Sequence, residues 1–250
     1  MNKKGSESFV SCIIPAYNEE KTVAGVVKVC LKVPQIKEII VVNDGSKDKT
    51  IKKLQPLKDK IKIISYPKNQ GKGYAVAQGI KASQFDYLLF LDADLINLQP
   101  YHLSSLIQPV LSNQVDMTIG VAASFENPYY SDWLFSGQRC LKKRFLQKII
   151  NKIEKSGYGL EVLLNSQMKK KRVVIVPLFS QKPLHIKKIK KQKDWLKAYI
   201  KEIFHIFRQT IANQKASYQE KMKIKFIHRL ASYFKISYQH LKDYLLEDEE

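Results

Sequence analysis

Four short apolar runs dominate the first hundred residues: Val10–Pro15, Glu38–Val42, Ile61–Ser65 and Tyr87–Leu91. Each is about the length of a buried strand, and each gives way to a polar cluster. Between the first two, Val23, Val26, Val27, Cys30 and Leu31 recur at helical spacing, with Asn18 as the expected cap and Glu19 and Glu20 in the first turn. Asp48 is expected to cap a second helix running to Leu57, and Lys72 to Ala82 a third. Strand and helix alternating at such short intervals predict an α/β fold, a mostly parallel sheet covered by helices. In such sheets ligands bind beyond the carboxyl ends of the strands.

The polar clusters fall at those ends. Pro15-Ala16-Tyr17-Asn18-Glu19 follows the first run, Asn43-Asp44-Gly45-Ser46 the second and Asp92-Ala93-Asp94 the fourth. Two carboxylates flanking a small residue, just past a buried strand, suit Mg2+ or Mn2+, which prefer carboxylate and phosphate oxygens. The alternative for this triplet is a capping turn with two solvated aspartates. Asn69-Gln70-Gly71-Lys72-Gly73 precedes a predicted helix. Its glycines let a ligand approach the backbone, the helix start favours an anion, and Lys72 adds charge. It lacks the full GxxxxGK[ST] phosphate loop, and by itself also reads as a turn with a solvated lysine.

The second half is less regular. Leu103–Leu111, Lys142–Ile153 and Leu160–Met168 read as helices, and Met117–Val121 and Arg172–Pro177 as strands. Asn127–Tyr130 reads as a loop and Gly157-Tyr158-Gly159 as a flexible turn. Asp194 is expected to cap a long amphipathic helix with Trp195, Tyr199, Ile200, Ile203, Phe204, Phe207 and Ile211 on one face, followed by a helical region from Gln219 to Glu247.

Five segments taken together resemble the family 2 glycosyltransferases of GT-A fold: SCIIPAYNEEKTV, IIVVNDGSKDKT, NQGKGYAVAQGI, YLLFLDADL, and SGQRCLKKRFL with GYGLEVLLN. The resemblance spans Phe9 to Leu164 and is specific in order and spacing. Within it the chain is similar to polyprenyl-phosphate sugar transferases and, in Asp92–Asn97 and Gly157–Val162, to glucosyl-3-phosphoglycerate synthases of a neighbouring family. The resemblance implies a GT-A (Rossmann-like) catalytic domain, placed over residues 1–190; the charge and helical spacing of the remainder predict a basic amphipathic helical extension over 191–250. The resemblance implies transfer of a hexose from a UDP- or GDP-sugar to a small or lipid-linked acceptor, with Mg2+ or Mn2+.

It also implies residue roles. Pro15, Ala16, Tyr17 and Glu19 would line the nucleoside pocket and Asp44 would bond the base. Gly71 and Lys72 would meet ribose or phosphate, and Asp92, Ala93 and Asp94 the diphosphate and metal. Arg139, in Ser136-Gly137-Gln138-Arg139, would bind a phosphate; an ordinary surface arginine is the alternative. Glu161 would orient sugar hydroxyls or act as base; a first-turn carboxylate favoured by its helix is the alternative. His185, in a His-x-x-Lys-x-x-Lys pattern, would complete the metal site, or is structural. At Ile96 the chain departs from polyprenyl-phosphate transferases, some of which carry a polar metal-contacting residue nearby.

The net charge of +20 predicts attraction to anions. From Lys169 to Glu250 there are 20 Lys or Arg and 8 Asp or Glu, so the last third carries more than half of the excess. Two readings of the Trp195–Ile211 helix remain: packing against the sheet domain or a homodimer partner, and shallow contact with anionic membrane through Lys197, Lys201 and Arg208. Met1 to Ser8 has no signal-peptide pattern and no apolar run reaches the 18–20 residues that span a bilayer, so the expectation is cytoplasmic, with the inner membrane face as peripheral site. Cys12, Cys30 and Cys140 form no ligand pattern and read as buried thiols. A basic nucleic-acid-binding or scaffold protein is the rival, without a recognition motif to support it.

Overall fold

The structure, a computed structural model, describes residues 8–123 and 136–180 and the single positions 184, 224, 239 and 242. The first half alternates as the apolar runs predict: β1 (Val10–Ala16), α1 (Val23–Cys30), β2 (Ile36–Asp44), α2 (Thr50–Leu54), β3 (Lys62–Tyr66), α3 (Lys72–Ala82) and β4 (Tyr87–Phe90). Then come α4 (Pro100–Leu111), β5 (Met117–Ala123), β6 (Arg139–Lys142), α5 (Ile150–Glu154), α6 (Leu160–Gln167) and β7 (Val173–Phe179). The seven strands form one sheet in the order β3-β2-β1-β4-β6-β5-β7. Neighbours are parallel except at β6, which runs antiparallel to β4 and β5. This is a mostly parallel GT-A-like architecture.

Strand periodicity divides the core. In β1, Cys12 and Ile14 pack on one face and Ile13 on the other; in β2, Ile39 and Val41 oppose Ile40 and Val42. One face is covered by Val23, Val26 and Val27 of α1 and by Leu103, Leu106 and Ile107 of α4. The other is covered by Ala75, Val76 and Ile80 of α3 and by Leu160 and Leu164 of α6. Apolar residues on both faces explain why β1, β2 and β4 read as near-continuous apolar runs. The three cysteines are free and buried, and burial pushes the Cys12 and Cys140 thiols up.

Four local expectations need correction. Lys142–Ile153 is not one helix. Arg139–Lys142 is β6, two 3-10 turns follow at Lys143–Phe145 and Gln147–Ile149, and only Ile150–Glu154 is α-helical. A four-residue strand is too short for its alternation to stand out from the helical spacing beside it. Asn18 does not cap α1. It adopts a φ of 57°, its Oδ1 accepts from Lys47 N at 2.8 Å, and α1 starts after Thr22. Asp48 does bind the start of α2, accepting from Thr50 N at 2.9 Å, although the cap position is Lys49. That helix stops at Leu54 and tightens into a 3-10 turn over Gln55–Lys60, because Pro56 has no N–H to continue the ladder.

The chain divides into two compact units, residues 1–187 and 188–250. In the second, Ile224, Gln239 and Lys242 are helical; the helices expected from Asp194 and from Gln219, like the Asn127–Tyr130 loop, otherwise lie outside the described residues. No helix among the described residues is long and apolar enough to cross a membrane.

Candidate functional site

β1, β2 and β4 are mutually parallel, so Ala16, Asp44 and Phe90 end on the same side of the sheet. The polar loops that follow therefore share one edge. Because β6 is antiparallel, its entry rather than its exit reaches that edge, with Arg139 opposite Phe90. The start of α3 and the Gly157–Gly159 turn leading into α6 complete the surround.

Asp92 is the hub. Its Oδ1 accepts from Lys72 Nζ at 2.7 Å and its Oδ2 from Gln138 Nε2 at 2.7 Å. Lys72 also donates to Glu161 Oε1 at 2.6 Å. Burial works against the Lys72 charge, but the Asp92 and Glu161 carboxylates outweigh it and hold the ammonium above the ordinary lysine range. Lys72 is thus charged at any working pH. A quarter of the Lys72 side chain stays open, 24% against 6% for Glu161, and both residues border the same crevice. Glu161 occupies the first turn of α6, so the helix start and the crevice position coincide. Pro15, Lys72, Asp92, Gly137, Arg139 and Glu161 line one crevice.

Arg139 is 0% exposed, which overturns the surface-arginine alternative. Its Nε donates to Ser136 O at 2.7 Å and its Nη1 to Asn165 Oδ1 at 2.5 Å. Burial draws it down to about 10 against the opposing pull of Glu161 and Asp92, so it remains charged at neutral pH. Two cations and two carboxylates therefore meet beneath the crevice.

Of the residues expected on the nucleoside side, Pro15 borders the crevice itself. Asp44 is buried and accepts from the backbone of Gln70 at 2.8 Å and Gly71 at 2.8 Å, tying the Asn69–Gly73 loop to the end of β2. Tyr17 is 41% exposed on the loop after β1. Ala16 and Ala93 are buried. Glu19 is turned toward the helices: its amide donates to Thr50 Oγ1 at 2.8 Å and its Oε2 accepts from Thr22 Oγ1 at 3.3 Å. Asp94 is half-buried beyond Ala93. His185 lies outside the described residues, but Leu184 O accepts from Ile96 N at 2.7 Å, two residues past Asp94.

The sequence reading missed Gln138 and the Lys72–Glu161 ion pair, whose members are 46 and 89 positions from their partners. Gln138 stood in a quoted segment, yet nothing local marks its amide as facing Asp92.

Among the described residues no three His, Cys, Asp or Glu side chains converge to cage an ion. Of Asp92 and Asp94, the pair expected to hold a divalent cation, Asp92 lines the crevice. Such an ion takes one or two carboxylates and fills its remaining positions with phosphate oxygens and water.

Gly73, in the first turn of α3, packs without clearance on the turn after α5. A Cβ there would overlap Ile153 O and Ser156 Oγ. Gly73→Ala is expected to destabilise the fold by about 1–3 kcal/mol and to displace Lys72 with the helix start, read as a lower urea midpoint.

Residues 11–160 match the family model described as Glycosyl transferase family 2. A poly-beta-1,6-N-acetyl-D-glucosamine synthase of Staphylococcus aureus is 35% identical over 99 residues, 38% of this chain and 24% of that protein. A dolichyl-phosphate beta-glucosyltransferase of Trichomonas vaginalis is 40% identical over 101 residues, 36% of this chain and 30% of that protein. The chain thus spans under a third of the length of these curated relatives. Among solved structures, glucosyl-3-phosphoglycerate synthase of Mycobacterium tuberculosis, in complex with Mn2+, UDP-glucose and phosphoglyceric acid, superposes with a TM-score of 0.66 at 20% identity, covering 84% of this chain and 81% of that one.

Proposed function

Because this chain belongs to glycosyl transferase family 2, we propose that it transfers a hexose from a UDP- or GDP-sugar to an unidentified acceptor, with Mg2+ or Mn2+ held by Asp92 and Asp94. The observation that carries this reading is the cluster of Lys72, Asp92 and Glu161 at the carboxyl edge of the sheet, the place where such sheets bind ligands. When bound, the cation neutralises charge on the departing diphosphate.

The chain's own residues do the rest. Pro15, Ala16, Tyr17 and Glu19 form the nucleoside side, and Asp44 serves the base while holding the Gln70–Gly71 loop. Gly71 brings that loop against the ribose. Lys72, an ammonium within reach of two carboxylates, turns toward the diphosphate oxygens when they arrive. Glu161 orients the sugar hydroxyls. Arg139, buried at the entry to β6, lends its charge to the Glu161 and Asp92 carboxylates while its Nε and Nη1 hold Ser136 and Asn165. The Leu184–Ile96 bond supports His185 as a further ligand, because it ties the residue before it to the segment two residues past Asp94.

The mycobacterial complex supports UDP-glucose and Mn2+ as the first pair to try. Phosphoglyceric acid in that complex and dolichyl phosphate in the Trichomonas vaginalis relative's name both carry a phosphate, so the acceptor screen pairs phosphoglycerate with a polyprenyl phosphate. The test is released nucleotide across donors and metals, with thermal melting beside it. UDP at a hundredfold excess over its Kd is expected to stabilise the protein by about 2.7 kcal/mol, roughly 5–10 °C in Tm, and only when Mn2+ or Mg2+ is present. Full turnover in excess chelator would sink the metal. Steeply salt-dependent binding to any DNA, with no nucleotide shift, would sink the enzyme.

A further inference from the structure

The entry to β6 holds a contact that no role so far uses. Gln138 is 2% exposed, and its Nε2 donates to Asp92 Oδ2 at 2.7 Å. Its Oε1 lies 2.9 Å from Ser136 Oγ, whose single proton is shared between that oxygen and the Gly120 carbonyl of β5. The reverse amide orientation would set Oε1 against a carboxylate oxygen, so the neighbours select one orientation. Gly120 N donates to Gln138 O at 2.8 Å, which fixes the backbone beneath. Gly137 completes the seat: a Cβ there would overlap both Asp92 oxygens, so only glycine lets β6 enter this close.

Asp92 is therefore held at both oxygens, from α3 by Lys72 and from β6 by Gln138. The two donors differ in kind. Lys72 is a charged donor whose three protons can be shared between its two carboxylates and an arriving anion. Gln138 is neutral and 2% exposed, so it offers an arriving anion no charge to compete for. Each carboxylate oxygen has two acceptor positions, so an amide on Oδ2 orients the group without excluding a cation.

We propose that Gln138 is a positioning residue for nucleotide–cation binding: braced by Ser136, it holds the Asp92 carboxylate in the orientation that receives a divalent cation carried by a nucleoside diphosphate. This rests on the reading of Asp92 as a metal ligand given above. Loss of such an outer partner lowers metal affinity about 10–100-fold in general.

The test uses the full chain, UDP and Mn2+, with free Mn2+ followed by its paramagnetic resonance and UDP by calorimetry. In Gln138→Met, of similar volume but without a donor, half-saturating Mn2+ in the presence of UDP is expected to rise about 10–100-fold. UDP affinity in the absence of metal should stay within about twofold, because the nucleoside loops do not touch this amide. Ser136→Ala, which only loosens the brace, should raise half-saturating Mn2+ roughly three- to tenfold, and it carries the test if Gln138→Met does not fold. Unchanged Mn2+ half-saturation in a folded variant overturns the proposal. So does an equal loss of UDP affinity with and without Mn2+, the mark of a merely loosened site. If the unmodified chain binds UDP no tighter with Mn2+ than without, the metal reading and this inference fall together; a normal metal effect that Gln138→Met leaves intact overturns the inference alone.

Discussion

Asp94→Asn is expected to lower sugar transfer by about a thousandfold or more, some 4 kcal/mol of barrier, while leaving metal-free UDP binding close to that of the unmodified chain. The amide keeps the size of the carboxylate and removes its charge. A divalent ion bound by one or two carboxylates and a diphosphate loses a large share of its protein ligation when one becomes neutral. Asp94 follows buried Ala93 beyond β4 and is itself half-buried, so the substitution changes charge more than packing. The measurement is released nucleotide under single-turnover conditions across a Mn2+ series. Recovery at high Mn2+ indicates weakened metal binding. Turnover equal to that of the unmodified chain at every concentration removes Asp94 from the mechanism.

Lys72→Met is expected to act on activity and stability together. The ammonium lies 2.7 Å from Asp92 and 2.6 Å from Glu161, and is the cation that joins them. Without it the two carboxylates keep only the charge of Arg139 and the Gln138 amide on Asp92, and the diphosphate loses its charge-assisted contact. Removing one such donor costs about 100–1000-fold in turnover. Breaking a fully buried pair costs about 3–5 kcal/mol; with 24% of Lys72 and 22% of Asp92 open to solvent, about 1–3 kcal/mol is expected here. The Lys72 value is raised in the folded chain, so its stabilisation is complete below the unfolded lysine value near 10.4 and is lost only as pH rises through the higher folded value. The stability deficit of Lys72→Met should therefore be constant across neutral pH in urea melts. A deficit that vanishes at pH 7, or turnover within threefold of the unmodified chain, would count against this role.

The legible parts of this molecule are those whose signal is local. Cys12-Ile13-Ile14 and Val41-Val42 face apolar layers on both sides, so the runs themselves show the buried strands. Lys72–Ala82 carries Ala75, Val76 and Ile80 at helical spacing and forms the predicted helix. Asp92-Ala93-Asp94 follows a buried strand, and its place on the ligand-binding edge follows from strand direction alone.

Other features depended on partners far along the chain. Asn18 has the chemistry of a cap, yet the Ser46–Lys47 turn claims it, with Asn18 N donating to Ser46 Oγ at 2.9 Å. For Arg139 the sequence leaves a phosphate-binding residue and an ordinary surface arginine both open; pairing of β6 between β4 and β5 buries it. Glu161 is an ordinary first-turn carboxylate until the fold sets it 2.6 Å from Lys72 at the start of α3.

By itself the sequence determined the parallel core, the loops that end its strands and the acidic triplet at the fourth strand's end, because each is written in residues that are neighbours or lie one helical turn apart. Only the tertiary structure decided that β6 enters antiparallel beside β4, that Gly137 leaves room for Asp92, and that Gln138 and Lys72 hold its two oxygens. Sheet order sets which distant side chains meet, and that order results from packing the whole core rather than from any segment of it.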